Sequence, residues 1–135
     1  MTKLLPEFVS TLRSIFREDG FAQDEATRVA YAYDNSRRFA LPDAVAFPTA
    51  HEQVAALVQA CREARAPLIA RGRGTNTTGA TVPDSGGIVA TFERMNRIIA
   101  IEPGDRIAIV EPGVLNADLQ RALAEHGLFW PPDPT

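Results

Sequence analysis

Leu68-Ile69-Ala70-Arg71-Gly72-Arg73-Gly74-Thr75-Asn76-Thr77-Thr78-Gly79 is the stretch on which the reading of this chain turns. A short apolar strand runs into a loop of glycines, hydroxyls and two arginines, and a second strand, Ile88-Val89-Ala90-Thr91-Phe92, follows. Glycine tolerates positive φ, so successive N–H groups can turn onto one point and form an anion-binding concavity. Thr75, Thr77, Thr78 and Asn76 add donors, and Arg71 and Arg73 add charge. A phosphate or pyrophosphate is the expected guest. The loop is neither of the common nucleotide turns. Gly72-x-Gly74 lacks a third glycine at dinucleotide-fold spacing, and the loop opens into a strand rather than a helix. No Gly-Lys-Ser/Thr follows, which excludes a triphosphate loop of that kind. A plain connector is the competing reading, but the density of arginines, Thr/Asn side chains and glycines exceeds what a connector needs.

Upstream, Pro48-Thr49 and the stripe Val54, Leu57, Val58 and Cys61 predict an amphipathic helix ending near Arg65, with Thr49 and Glu52 as a capping box. Ala44-Val45-Ala46-Phe47 precedes it as a strand, so residues 44 to 70 read as a strand–helix–strand unit with parallel strands. Further upstream, Phe8, Leu12, Ile15 and Phe16 predict a helix over about Pro6 to Arg17, stopped by Gly20. A second helix, Asp24 to Tyr33, has Asp24 as N-cap. Downstream, Arg97 to Ile101 and Arg106 to Glu111 read as a hairpin around Glu102-Pro103-Gly104-Asp105. A last helix carries Leu119, Ala122 and Leu123 on its inner face, with Asn116 as cap and Gly127 as the C′ residue.

The chain has 135 residues, is 45% hydrophobic and carries a net charge of −3. That length suits one ordinary domain burying roughly two-thirds of its unfolded surface. The acidic balance disfavours sequence-independent nucleic-acid binding. No apolar run approaches the roughly 20 residues of a membrane span, and Glu7 and Arg13 interrupt any signal-peptide core. The lone Cys61 cannot form an internal disulfide, which is consistent with a reducing cytoplasm. A terminus carrying Phe129 and Trp130 and then stopping reads as cut from something larger.

Taken in order, Pro48-Thr49-x-x-Glu52-Gln53-Val54, Ala70-Arg71-Gly72-x-Gly74-Thr75, Gly86-Gly87-Ile88-Val89, Arg94-Met95-Asn96-Arg97-Ile98, Val110-Glu111-Pro112-Gly113-Val114 and Pro131-Pro132-Asp133-Pro134 form a pattern. It resembles the FAD-linked oxidases that bind flavin in a fold like that of p-cresol methylhydroxylase and vanillyl-alcohol oxidase. The most similar branch holds the glycolate oxidase FAD-binding subunit, D-lactate dehydrogenase and D-2-hydroxyglutarate dehydrogenase. The likeness runs from about Tyr33 to Thr135. It implies an α+β fold, a p-cresol methylhydroxylase-type FAD-binding first lobe in which a small mixed sheet with a βαβ unit carries flanking helices. Residues 1–40 would be an N-terminal helical segment and 41–135 the first lobe, incomplete without a second.

The resemblance implies FAD as cofactor, held at Arg71, Gly72, Arg73, Gly74, Thr75, Asn76, Thr78 and Gly79, with Pro132 and Asp133 leading into a further FAD contact. Two positions depart from the family. Arg73 replaces a small residue, and Ala80 stands where a glycine is common; if that position needs φ > 0, Ala80 carries strain. The complete protein would be an FAD-dependent oxidoreductase of 2-hydroxy acids of the glycolate, D-lactate or D-2-hydroxyglutarate type. Its substrate would bind on a C-terminal domain that this chain lacks, and its electrons would pass to a protein or quinone acceptor. No catalytic residue and no metal ligand falls within the chain, which alone would be inactive. The expected placement is cytoplasmic, with peripheral attachment at an inner membrane as the variant.

Other residues have plainer readings. His51 and His126 lie near helix ends as surface residues, Cys61 belongs to an apolar stripe, and Arg37 and Arg38 sit in a polar loop or face a partner. Phe129 and Trp130 serve as core or as a docking surface. From another functional class, a non-catalytic nucleotide- or anion-binding module acting with a partner subunit stays open.

Overall fold

The computed structural model describes residues 4–17 and 19–132. Two compact units divide the chain, Met1–Arg94 and Met95–Thr135. In the first, helix α1 (Pro6–Phe16) begins with proline at its first turn and buries Phe8, Leu12 and Phe16, the residues that helical spacing puts on one stripe. Strand β1 (Phe21–Ala22), which the sequence pattern did not reveal, is two residues long. Helix α2 (Glu25–Ala30) has Asp24 as N-cap, its carboxylate accepting from Thr27 N–H at 2.9 Å. It ends earlier than expected.

Strand β2 (Ala44–Ala46), helix α3 (His51–Ala64), strand β3 (Leu68–Arg71) and strand β4 (Ile88–Thr91) complete the unit. The sheet order is β1-β2-β4-β3. β2 and β3 are parallel, as expected, but β4 lies between them and pairs with both, while β1 runs antiparallel at the other side. Every residue of β2 and β4 is buried, as a central parallel strand covered on both faces requires. Alternation sends Ala44, Ala46, Ile88 and Ala90 toward α1 and α3, where they join Phe8, Leu12, Phe16, Leu57 and Cys61 in one core. α1 packs on α3, so residues 4–40 share their unit with the parallel strands.

The start of α3 differs by one residue from the expected capping box. Ala50 is the N-cap, so the third helical position is Gln53 rather than Glu52. Gln53 Oε1 reaches back to accept from Thr49 N–H at 2.8 Å and from its hydroxyl at 3.0 Å. Gly20 is required for space rather than for φ: a Cβ there would stand 2.4 Å from the Phe16 carbonyl oxygen.

The second unit holds strands β5 (Ile98–Glu102) and β6 (Ile107–Val110), an antiparallel hairpin, and helix α4 (Asn116–Ala124). The hairpin turn is where the sequence puts it, but its left-handed residue is Arg106, φ 57°, and not Gly104. Arg97 closes the hairpin base on Glu111, donating from its backbone N–H at 2.8 Å, from Nε at 3.0 Å and from Nη2 at 2.6 Å. Helix α4 takes Leu115 rather than Asn116 as N-cap. It ends in a two-bond C-cap centred on Gly127, φ 68°, with Gly127 N–H to Ala124 O at 3.0 Å and Leu128 N–H to Leu123 O at 3.1 Å. Phe129 is 73% and Trp130 47% exposed. Together with Val110, Leu119 and Leu123 they line an apolar groove of 480 Å³.

Candidate functional site

β3 and β4 are parallel and in register, so their carboxyl ends, Arg71 and Thr91, lie side by side. Loops at the carboxyl ends of parallel strands are where open α/β sheets hold ligands. The loop leaving β3 is the glycine stretch. Gly74 and Gly79 take φ of 69° and 81°, values that cost an L-residue but not glycine. Each is also backed by an arginine. A Cβ on Gly74 would stand 2.1 Å from Arg71 Nη2, and one on Gly79 would stand 2.9 Å from Cδ and Nη1 of Arg38. Glycine is needed at both positions to admit the chain's own arginines.

Arg71 points inward. It is 8% exposed, donates from Nη1 to the Tyr33 carbonyl at 2.7 Å and to Thr81 Oγ1 at 3.5 Å, and lies over the Tyr31 ring at 5.4 Å. Tyr31 donates its hydroxyl to Glu93 Oε1 at 2.7 Å and meets Phe47 edge-on. Burial, reinforced by Glu93, pushes the Tyr31 phenol up to about 12, so it stays a neutral donor.

A polar segment preceding β2 straps the loop. Asn35 donates its backbone N–H to Asn76 O at 3.0 Å and its side-chain amide to Thr75 O at 3.2 Å. Thr81 Oγ1 donates to Asp34 Oδ2 at 3.2 Å and accepts from Arg71 and from Asn76 Nδ2, also at 3.2 Å, which uses the hydroxyl's whole capacity. Asp34 is buried, and its carboxyl is held below its ordinary value by hydrogen bonds from Ser36 first and Thr81 next. Asn76 Oδ1 accepts from Thr78 N–H at 3.2 Å and from the Thr78 hydroxyl at 3.1 Å, an Asx turn inside the loop.

Against this bracing stands an open run. Among the described residues, the N–H groups of Arg73, Gly74, Thr75, Asn76 and Thr77 have no protein acceptor. The side chains of Arg73, Thr75 and Thr77 are exposed and make no hydrogen bond there. Backbone N–H groups demand a partner, so this run is available to water or to a ligand.

The residues singled out from the sequence thus fall into distinct places. Arg73, Thr75 and Thr78 are exposed, Gly72, Gly74 and Asn76 are half-buried, Gly79 is buried beside Arg38, and Arg71 is engaged inside the protein. Pro132 is exposed in the second unit, and Asp133 lies outside the described residues. Ala80 is not among the positive-φ residues, so the strain considered for it does not arise. Arg38, read as a polar-loop residue or one facing a partner, packs on Gly79 and pairs with Asp84. Tyr31, Tyr33, Asp34, Asn35 and Thr81 were missed. The polar run at 34–36 was visible, but its partners lie some 40 positions later, beyond any local pattern. Cys61 is buried and its thiol pushed up to about 11 by that burial, a structural rather than a reactive cysteine. His51 and His126 are exposed.

Residues 42–135 match the FAD binding domain family. The glycolate oxidase subunit GlcD of Bacillus subtilis is 39% identical over 118 residues, covering 87% of this chain and 25% of that protein. A probable mitochondrial D-lactate dehydrogenase of Danio rerio is 33% identical over 98% of this chain and 27% of its own length. The D-2-hydroxyglutarate dehydrogenase of Stutzerimonas stutzeri is 32% identical over 95% and 28%. The chain spans about a quarter of the length of these relatives. Among solved structures, p-cresol methylhydroxylase with substrate bound aligns with a TM-score of 0.80 at 25% identity, over 95% of this chain and 26% of that one. The 4-ethylphenol oxidase of Gulosibacter chungangensis gives 0.83 at 26%, over 94% and 25%. Its mixed sheet, its glycine loop and these likenesses agree: the chain belongs to the FAD binding domain family, in the p-cresol methylhydroxylase-type fold.

Proposed function

We propose that this chain supplies the diphosphate-holding lobe of an FAD-dependent dehydrogenase or oxidase that acts on a 2-hydroxy acid of the glycolate, D-lactate or D-2-hydroxyglutarate kind. The observation that carries it is the run of five loop N–H groups, 73–77, that lack a protein acceptor at the carboxyl end of β3. The donor chemistry fits a diphosphate, since main-chain amides, exposed hydroxyls of Thr75 and Thr77 and one exposed arginine complement acceptor oxygens and negative charge.

Bound FAD supplies the two-electron acceptor for oxidation at the substrate's α-carbon. The chain's own residues bind and orient. The amides of Arg73 to Thr77 donate to the ligand's oxygens, Arg73 offsets its charge, the hydroxyl of Thr75 adds a further donor, and Thr78, whose hydroxyl and N–H both donate to Asn76 Oδ1, holds the loop in shape. Gly72 and Gly74 keep side chains out of the way, and Gly79 with Asn76 fixes the loop's far end. Pro132 and Asp133 carry the chain toward a further contact with the cofactor. The hydroxy acid and the electron acceptor, a protein or a quinone, engage parts of the polypeptide beyond this lobe.

Flavin titration tests this. The wild-type chain is expected to quench FAD fluorescence saturably, with ADP competing because it carries the same diphosphate. Gly74→Val is expected to abolish most binding while Gly104→Ala, in the second unit, leaves it intact. Equal FAD affinity of wild type and Gly74→Val would refute the placement of the diphosphate on this loop.

A further inference from the structure

The loop offers two arginines, and their surroundings could hardly differ more. We propose that they divide the work: Arg71 is a positioning residue that braces the loop from inside, and Arg73 is the arginine that meets the ligand's diphosphate. The inference rests on the flavin assignment above and gives its two arginines different roles.

Arg71 is 8% exposed. Its guanidinium is occupied on one side by Gly74 and on another by the Tyr31 ring. Its Nη1 is spent on Tyr33 and Thr81. Little of it is left for a ligand outside. Arg73 is exposed and, among the described residues, makes no hydrogen bond or ion pair.

The bracing has a clear consequence for the open amides. Residues 73–77 are bracketed by Arg71 on one side and by the Asn76–Thr81–Asp34 network on the other, while Asn35 ties down the carbonyls of Thr75 and Asn76. A segment whose carbonyls and flanks are fixed but whose N–H groups stay unpaired is already ordered for a ligand. Binding then need not freeze the backbone, which is how preorganisation raises affinity.

The test uses the chain with Arg71→Gln, Arg71→Lys and Arg73→Gln, and two readouts. Backbone 15N relaxation of residues 73–77 without ligand reports the bracing. FAD titrations at several potassium chloride concentrations report direct charge contact, which salt screens. In Arg71→Gln the order parameters of residues 73–77 are expected to fall from rigid values near ~0.85 toward ~0.6. FAD affinity should drop about tenfold, as expected for losing one charge-assisted hydrogen bond, and the salt slope should stay that of wild type. Arg73→Gln is expected to keep the loop rigid, weaken FAD binding and flatten the salt slope. Arg71→Lys, which keeps one donor toward Tyr33, is expected to be intermediate in both readouts, and it decides the matter should Arg71→Gln not fold.

A loop as rigid in the Arg71 variants as in wild type would overturn the inference. So would a salt slope flattened by Arg71→Gln and untouched by Arg73→Gln. Absence of FAD binding by the wild-type chain would count against the functional assignment instead, and the relaxation data would still decide whether Arg71 is the brace.

Discussion

Gly74→Ala adds one methyl group at the position where the loop and Arg71 meet. Two costs follow from the geometry. The backbone sits at φ 69°, where an L-residue loses roughly 1–2 kcal/mol relative to glycine, offset by about 0.4–1 kcal/mol because alanine restricts the unfolded chain. The new Cβ would also stand 2.1 Å from Nη2 and 2.3 Å from Cζ of Arg71, far inside contact distance. The guanidinium has to withdraw, and it cannot do so while keeping its 2.7 Å bond to the Tyr33 carbonyl. A hydrogen bond to a charged group contributes about 1.5–3 kcal/mol. The sum is a destabilisation of about 2–4 kcal/mol, a large share of the stability of a typical domain. Urea unfolding followed by far-ultraviolet circular dichroism measures it. Tryptophan emission does not serve, because Trp130 belongs to the other unit. Repeating the substitution on an Arg71→Ala background removes the clash, so the double-mutant cycle should return a coupling of about 1.5–3 kcal/mol. Gly104→Ala is the control, since it has open space around its Cβ and no positive φ; it should be neutral or slightly stabilising. A loss below about 0.5 kcal/mol for Gly74→Ala, or no coupling to Arg71, would refute the picture of an arginine seated under the loop.

Two further predictions concern other parts of the chain. Gly87 combines φ 87° with a Cβ position 2.2 Å from the Pro67 carbonyl oxygen; because backbone cannot swing aside, Gly87→Ala should cost more than Gly74→Ala and lower the thermal midpoint accordingly. Glu111 is held below its ordinary value of 4.5 by its hydrogen bonds with Arg97. A depressed folded pKa means stability that is present above that ordinary value and lost as pH falls through the folded one. A titration of the Glu111 carboxyl by NMR should therefore have its midpoint below 4.5, and Arg97→Gln should raise it. A midpoint unmoved by Arg97→Gln would show that the hairpin base is not held by this pair.

Much of the chain can be read from local patterns. Helix α1 follows from Phe8, Leu12 and Phe16 on one stripe behind a proline, and the start of α2 and the end of α4 follow from Asp24 and Gly127, because caps are chemistry between residues a few positions apart. The glycines at 74 and 79 mark the loop for the same reason: positive φ is a local demand. The family is legible too, since its motifs are spaced along the chain.

Tertiary structure decided the rest. That β4 enters between β2 and β3 is a choice among strand edges, and strand patterns record which residues are buried, not which edge each strand pairs with. The inward turn of Arg71 is decided the same way. Nothing in Arg-Gly-x-Gly distinguishes an arginine that faces a phosphate from one that lies under the loop. The difference is made by Tyr31, Tyr33 and Thr81, which folding brings to one point from either side of two strands and a helix. An arginine follows the acceptors and aromatic faces available around it. Those are supplied by residues distant in the sequence, so the local pattern names the loop while the fold determines what each of its arginines does.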